Sequence, residues 1–208
     1  MTRTVVVLAG GPEPPIGMRL PPDAMVIAAD GGAELGFPVD LVVGDMDSIS
    51  AETLATIDDV ERHPVDKDAT DLELALAAAL RLSPERILVA GGAGGRLDHL
   101  LGGLLLLASD AYSAVQVDAQ FGSAVVHVVR DERTIVGEPG DLISLFAVHG
   151  PAVGVVTEGL VYQLRGETLE SGSSRGLSNA FAVHVVQIAI EEGVLLAVRP
   201  TGSATAGS

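Results

Sequence analysis

The rhythm of the chain changes near Phe121, and that change constrains the fold more than any single motif. Up to that point short apolar runs alternate with helical segments. Strands are predicted at Thr4–Leu8, Met25–Ala29, Leu41–Val43, Arg86–Ala90 and Val115–Ala119, with a proline-rich loop between the first two. Helices are predicted at Ala33–Leu35, Glu52–Ile57, Leu72–Leu82 and along a segment ending near Ala108. Leu72–Leu82 is rich in Ala and Leu, and Thr70 with Glu73 fits a capping box at its start. Such alternation predicts a mainly parallel, Rossmann-like sheet. Beyond Phe121 the runs Val125–Val129, Thr134–Val136, Leu142–Ala147, Val153–Thr157, Leu160–Leu164, Val183–Ile190 and Leu195–Val198 are short, rich in valine and separated by Gly, Pro or acidic turns. No helical pattern lies among them, so an antiparallel sandwich or barrel is expected. The expected organisation is an α/β domain over 1–121, an all-β domain over 122–200, and a small polar tail, 201–208, without order.

The early strands end in Gly, Asp or both: Gly10-Gly11, Asp30-Gly31-Gly32 and Gly44-Asp45. In open α/β sheets the carboxyl ends of strands are where ligands sit. Within Leu41-Val42-Val43-Gly44-Asp45-Met46-Asp47-Ser48, an apolar run meets a glycine and two aspartates one residue apart. Two carboxylates that close repel each other unless a cation lies between them. Hard oxygen ligands beside a triphosphate suit Mg2+. Asp, Gly and Ser are also ordinary turn formers, so the motif alone is equally a surface turn. Asp66-Lys67-Asp68-Ala69-Thr70-Asp71 follows, with the chain's one lysine among its acids; Lys67 either serves the site or is chance in an arginine-preferring chain. Asp68 and Asp71 flank the start of the Leu72 helix. An acid there also complements the helix dipole, but with Asp45 and Asp47 it would complete a site of three carboxylates. Gly91 to Gly95 joins a strand to a helix, where glycine amides and a helix N-terminus favour phosphate. The run is not a P-loop, because no Gly-Lys-Ser/Thr follows, and Leu97 stands where the dinucleotide fingerprint needs a third glycine. Arg96 either reaches phosphate oxygens or pairs with Asp98.

Charge narrows the partners. The chain has 28 acidic and 12 basic residues, a formal net charge of -16, which repels a phosphate backbone and speaks against nucleic acid. With no cysteine there is no disulfide, zinc-thiolate site or thiol nucleophile. The histidines are scattered without metal-ligand spacing; His127 and His184 read as strand positions, and only His99 stands near the proposed chemistry. Gly-x-Ser-x-Gly is absent. The first apolar run is too short for a signal peptide, and Leu100–Ala108 is too short for a bilayer and interrupted by Gly102-Gly103. A cytoplasmic protein without membrane contact is expected.

Taken together, Ala29-Asp30-Gly31-Gly32-Ala33, Gly44-Asp45-Met46-Asp47-Ser48, Asp66 to Glu73, Gly94-Gly95-Arg96-Leu97-Asp98-His99, Ser144-Leu145, Gly159-Leu160-Val161-Tyr162 and Leu177-Ser178-Asn179 resemble the thiamine pyrophosphokinase family, in the family's order and over nearly the whole chain. Two departures are visible: Met46 replaces the usual phenylalanine, and Gly102-Gly103 stands where the family has Ala-Asn. The resemblance implies an ATP-binding first domain and a thiamine-binding second one. It also implies a homodimer with active sites between subunits, and Mg2+-dependent transfer of a diphosphoryl group from ATP to thiamine with release of AMP. In that reading Asp45, Asp47 and Asp71 hold Mg2+. Asp30, Gly31, Gly44, Lys67, Asp68, Thr70, Gly92, Gly94, Gly95 and Arg96 face the nucleotide. Asp98, Tyr162, Ser178 and Asn179 face thiamine; Asp71 and Asp98 are both candidates to take the alcohol proton, if a side chain takes it at all. The competing expectations are a diphosphokinase for another alcohol, such as a hydroxymethyl pterin, and a catalytically silent nucleotide-binding module.

Overall fold

The computed structural model describes residues 3–12, 14–91 and 94–200. The expectations for Gly92 and for the tail 201–208 lie outside these residues. The chain forms two compact units, one running to Leu106 and adding Ala114–Gly122, the other taking Leu107–Ser113 and everything from Ser123 onward.

The first unit is built on six strands: β1 (Thr4–Ala9), β2 (Met25–Ala29), β3 (Leu41–Gly44), β4 (Asp59–Arg62), β5 (Arg86–Gly91) and β6 (Gln116–Phe121). All of them pair in parallel, in the order β6-β5-β1-β2-β3-β4. The central strands are continuous apolar runs because parallel strands are covered on both faces; Val5, Val6, Val7 and Leu8 have no exposed surface. The connections run outward from β1 through β4 and then return to β5, so the winding reverses between β1 and β5. That reversal opens a crevice at the carboxyl ends. Helix α1 (Ala51–Leu54) is a single turn capped by Ser50, shorter than the predicted Glu52–Ile57 segment. Helix α2 (Asp71–Arg81) buries Ala75, Leu76, Ala78 and Ala79 and begins where Thr70 Oγ1 accepts from Glu73 N at 3.2 Å. Helix α3 (Leu97–Leu107) follows the glycine run. No helix among the described residues is long and apolar enough to cross a membrane.

The second unit holds two antiparallel sheets. One has the order β12 (Asn179–Ala180), β9 (Leu142–Ala147), β14 (Leu195–Pro200), β7 (Ala124–Val129); the other is β11 (Arg165–Leu169), β10 (Ala152–Glu158), β13 (Val185–Ala189), β8 (Glu132–Val136). Ile143, Leu145, Leu195 and Ala197 of the first sheet share one core with Ile135, Val155, Val186 and Ile188 of the second. Alternating burial along β9 and β13 is what a sheet with one covered face requires. The predicted strand Leu160–Leu164 is not one: apart from a bridge between Leu160 and Phe181 it is an irregular loop, and the strand comes just after it, as the polar β11. The Leu107–Ser113 segment joins this unit because the Arg130 guanidinium donates to the carbonyls of Ala108 and Ser109 at 2.6 and 2.7 Å.

Candidate active site

Three strand or helix ends of the first unit meet at one point. Asp30 directly follows β2, Gly44 closes β3 with Asp45 next to it, and α2 begins at Asp71. Gly44 has φ +149, and a Cβ there would lie 2.8 Å from Asp71 Oδ1 and 3.0 Å from Asp30 Cβ. Only glycine lets the backbone pass between these two acids. Asp45 to Ser48 then folds back: Asp47 N donates to Asp45 Oδ1 at 3.3 Å, Ser48 Oγ to Asp47 Oδ1 at 2.7 Å, and Ser48 N to Asp30 Oδ2 at 3.2 Å. Met46 sits at φ +67 and Asp30 at φ +42, left-handed conformations that cost energy in a residue with a side chain. Strain and acid crowding thus coincide in one turn.

Oxygens of Asp30, Asp45 and Asp47 all lie within 4.8 Å of one another. Asp30 is only 6% exposed, and its Oδ1 is buried without a hydrogen-bond partner. Burial pushes the Asp30 carboxyl above its ordinary value, although the hydrogen bonds from Ser48 and the Gly31 backbone pull the other way. The convergent trio therefore includes Asp30, which sequence reasoning placed among the nucleotide contacts. Its one sequence signal was its position at a strand's carboxyl end. Asp71, expected in the metal trio, is turned toward Lys67.

Lys67 reaches in from the loop between β4 and α2. Its Nζ donates to Asp45 Oδ2 at 2.8 Å and is equally close to Asp71 Oδ1, although off the hydrogen-bonding line of the latter. The Lys67 hydrogen bond holds the Asp45 carboxyl below the usual range. For the ammonium itself, desolvation is the largest influence and pushes downward, but the contacts with Asp45 and Asp71 outweigh it and the result is raised. Asp68 is exposed and Thr70 is occupied as the cap of α2. Gly31 packs on Ser48, with room for a Cβ only at 3.2 Å from the Ser48 carbonyl.

The glycine turn after β5 also needs its glycines. Gly91 has φ +102, and a Cβ there would strike the Ala9 carbonyl at 2.3 Å. Gly94 and Gly95 take φ +64 and +137. Arg96 pairs with Asp98 through Nε–Oδ1 at 3.2 Å and Nη2–Oδ2 at 2.5 Å on the open surface. The guanidinium holds the Asp98 carboxyl down at about 2.

In the second unit the Asn179 side chain holds the loop that carries Tyr162. Buried Asn179 accepts from Tyr162 N at 3.0 Å and Ala180 N at 2.9 Å, and donates to the Tyr162 carbonyl at 2.6 Å. It clamps the Leu160–Leu164 loop so that the Tyr162 ring stands 68% exposed. Ser178, at φ +55, donates its backbone N–H to Ser144 Oγ at 3.1 Å.

Carboxylates gathered at parallel strand ends, beside a glycine turn into a helix, define a class of enzyme that handles charged phosphate esters. Residues 20–117 match the thiamin pyrophosphokinase catalytic domain, and residues 124–195 match the thiamin pyrophosphokinase vitamin B1 binding domain. The thiamine pyrophosphokinase of Bacillus subtilis is 25% identical over 218 residues, covering 96% of this chain and 99% of that protein. A solved thiamine pyrophosphokinase from Bacillus subtilis superposes with a TM-score of 0.83 at 26% identity, over 96% of this chain and 99% of that one. The enzyme from Geobacillus thermodenitrificans gives 0.81 at 26% identity, over 98% and 100%. The chain belongs to the thiamine pyrophosphokinase family. It is a diphosphotransferase that uses ATP as co-substrate.

Proposed function

We propose that the chain transfers the diphosphoryl group of ATP to the primary alcohol of thiamine with Mg2+ held at the acid cluster of the first unit. The observation that carries this is the convergence of Asp30, Asp45 and Asp47, with Asp30 Oδ1 buried and unmatched. All the donors are hard carboxylate oxygens, the set Mg2+ prefers. A buried acceptor without a proton partner is costly unless something cationic faces it. The residues present fit the ion. Asp45, Asp47 and Asp30 would hold it, with Asp71 beside them across Gly44. Bound there, Mg2+ would neutralise charge on the transferring phosphates.

The chain's own groups do the positioning. Gly94 and Gly95, at the entry to α3, let phosphate approach the backbone of a turn no other residue forms without strain. Arg96 has only an exposed partner in Asp98; such pairs are worth little, so phosphate oxygens can compete for it. Asp98 stays ionised and can accept from the pyrimidine amino group of thiamine. Asp71 and Asp98 are both candidates to take the alcohol proton. Tyr162 offers an open ring face for a heterocycle, and Asn179 fixes the loop that presents it. We read the parallel unit as Rossmann-like, the enzyme as a cytoplasmic homodimer, and its substrates as small molecules rather than nucleic acid.

Purified protein with ATP, Mg2+ and thiamine should yield AMP and thiamine diphosphate in equal amounts. Formation of ADP, or turnover only with a hydroxymethyl pterin, would refute the assignment.

A further inference from the structure

Lys67 is the one lysine of the chain, and it does not occupy an ordinary surface pair. Its side chain is 12% exposed, and its Nζ lies 2.8 Å from both Asp45 Oδ2 and Asp71 Oδ1. Four carboxylates, Asp30, Asp45, Asp47 and Asp71, crowd the ends of β2 and β3 and the start of α2, and Lys67 pairs with two of them, Asp45 and Asp71. Its fit is incomplete: Asp71 Oδ1 is approached off line, and Asp30 Oδ1 is not reached at all. An ammonium is a compact point charge on a flexible stem, unlike the planar guanidinium fork that would lock onto a carboxylate.

We infer that Lys67 is a tethered counter-ion, which holds the metal-free acid cluster together and must be displaced from Asp45 when a divalent cation binds. This rests on reading the cluster as the metal site. Lys67 Nζ occupies Asp45 Oδ2, so an incoming ion competes with it for that carboxylate, and the protein binds the ion more weakly than its carboxylates alone would. The competition keeps Asp45 and Asp71 at fixed separation while the site waits. It also frees the ammonium at the moment an anionic nucleotide arrives with its metal. Lys67 then moves from carboxylate to phosphate and is a positioning residue in both states.

The test uses Mn2+ alone, without nucleotide, titrated into the full chain and followed by the paramagnetic resonance of the free ion. Removing one positive charge about 4 Å from a divalent ion should tighten binding at least about thirtyfold in Lys67→Met, the bulk-water Coulomb figure being about 2 kcal/mol. Lys67→Arg keeps the charge and should bind Mn2+ no tighter than the unaltered protein. In chelator Lys67→Met should melt below the unaltered protein, and it should gain more on adding Mn2+, as linkage requires. Lys67→Gln is the second neutral variant if the methionine does not fold. Mn2+ binding that is equal or weaker in the neutral variants, with clear binding to the unaltered chain, overturns the inference while leaving the metal site standing. Absence of saturable Mn2+ binding in every form overturns the metal site and the inference with it.

Discussion

Asp30 and Asp45 stand in one cluster, but their environments push them in opposite directions. The Lys67 ammonium lowers the Asp45 carboxyl, whereas burial raises that of Asp30. A carboxyl that titrates higher in the fold than in the unfolded chain favours the fold at low pH. That advantage is lost as pH rises from the unfolded value through the raised folded one. At pH 7 without metal, Asp30 is therefore a liability. Asp30→Asn, which keeps an oxygen for Ser48 N–H, should raise the metal-free melting temperature at pH 7 and leave it unchanged near pH 3. Thermal denaturation at the two pH values checks this, and a lower melting temperature at pH 7 would contradict it. Asp45→Asn should lower kcat at least roughly 100-fold, the scale of one preorganised electrostatic contact. Steady-state turnover at saturating Mg2+ decides whether that carboxylate is a ligand or merely part of a turn. Neither sign was legible in the sequence. Asp30 is recognisable there as a strand-end acid, but its burial depends on Ser48, eighteen residues on, folding back over it.

At the scale of elements, legibility followed burial. The strands β1, β2 and β5 are long apolar runs covered on both faces, and their periodicity announces them. β11, Arg-Gly-Glu-Thr-Leu, lies at the edge of its sheet with mostly exposed residues, so its composition reads as loop. The preceding Leu160–Leu164 reads as strand because its ends are apolar and buried, yet its middle is held by the Asn179 amide rather than by a ladder. Such a side-chain clamp between distant segments leaves no local pattern. Asn179→Ala removes the acceptor for Tyr162 N–H and Ala180 N–H and the donor to the Tyr162 carbonyl. Buried groups left unpaired cost about 1–3 kcal/mol each, so the Tyr162 loop should loosen. We expect KM for thiamine to rise at least about tenfold while KM for ATP moves less than about twofold. Separate titrations of the two substrates measure this, and unchanged thiamine kinetics would remove the clamp from the substrate site.

For the molecule as a whole, the open question is how the second unit covers its outer surface. Val136 and Val185 are direct cross-strand partners on β8 and β13, and both are exposed, Val136 by 68%. Two adjacent outward valines give this sheet an apolar spot that a second surface could cover. β8 and β11 are both edges of that four-stranded sheet, and edges left open invite pairing with another chain. A two-fold dimer covers like with like, so a single apolar face suffices for both partners. Acidity acts against this: a net charge of -16 per chain makes two copies repel, and the repulsion is screened as salt rises. Light scattering should report a mass about twice the 21.2 kDa chain at physiological salt. Dilution in low salt should favour the monomer, and specific activity should fall with it if the thiamine site needs both copies. A chain that is fully active as a monomer at assay concentration would break the link between dimer and site. The tyrosine of each loop would then bind its heterocycle without help from a partner.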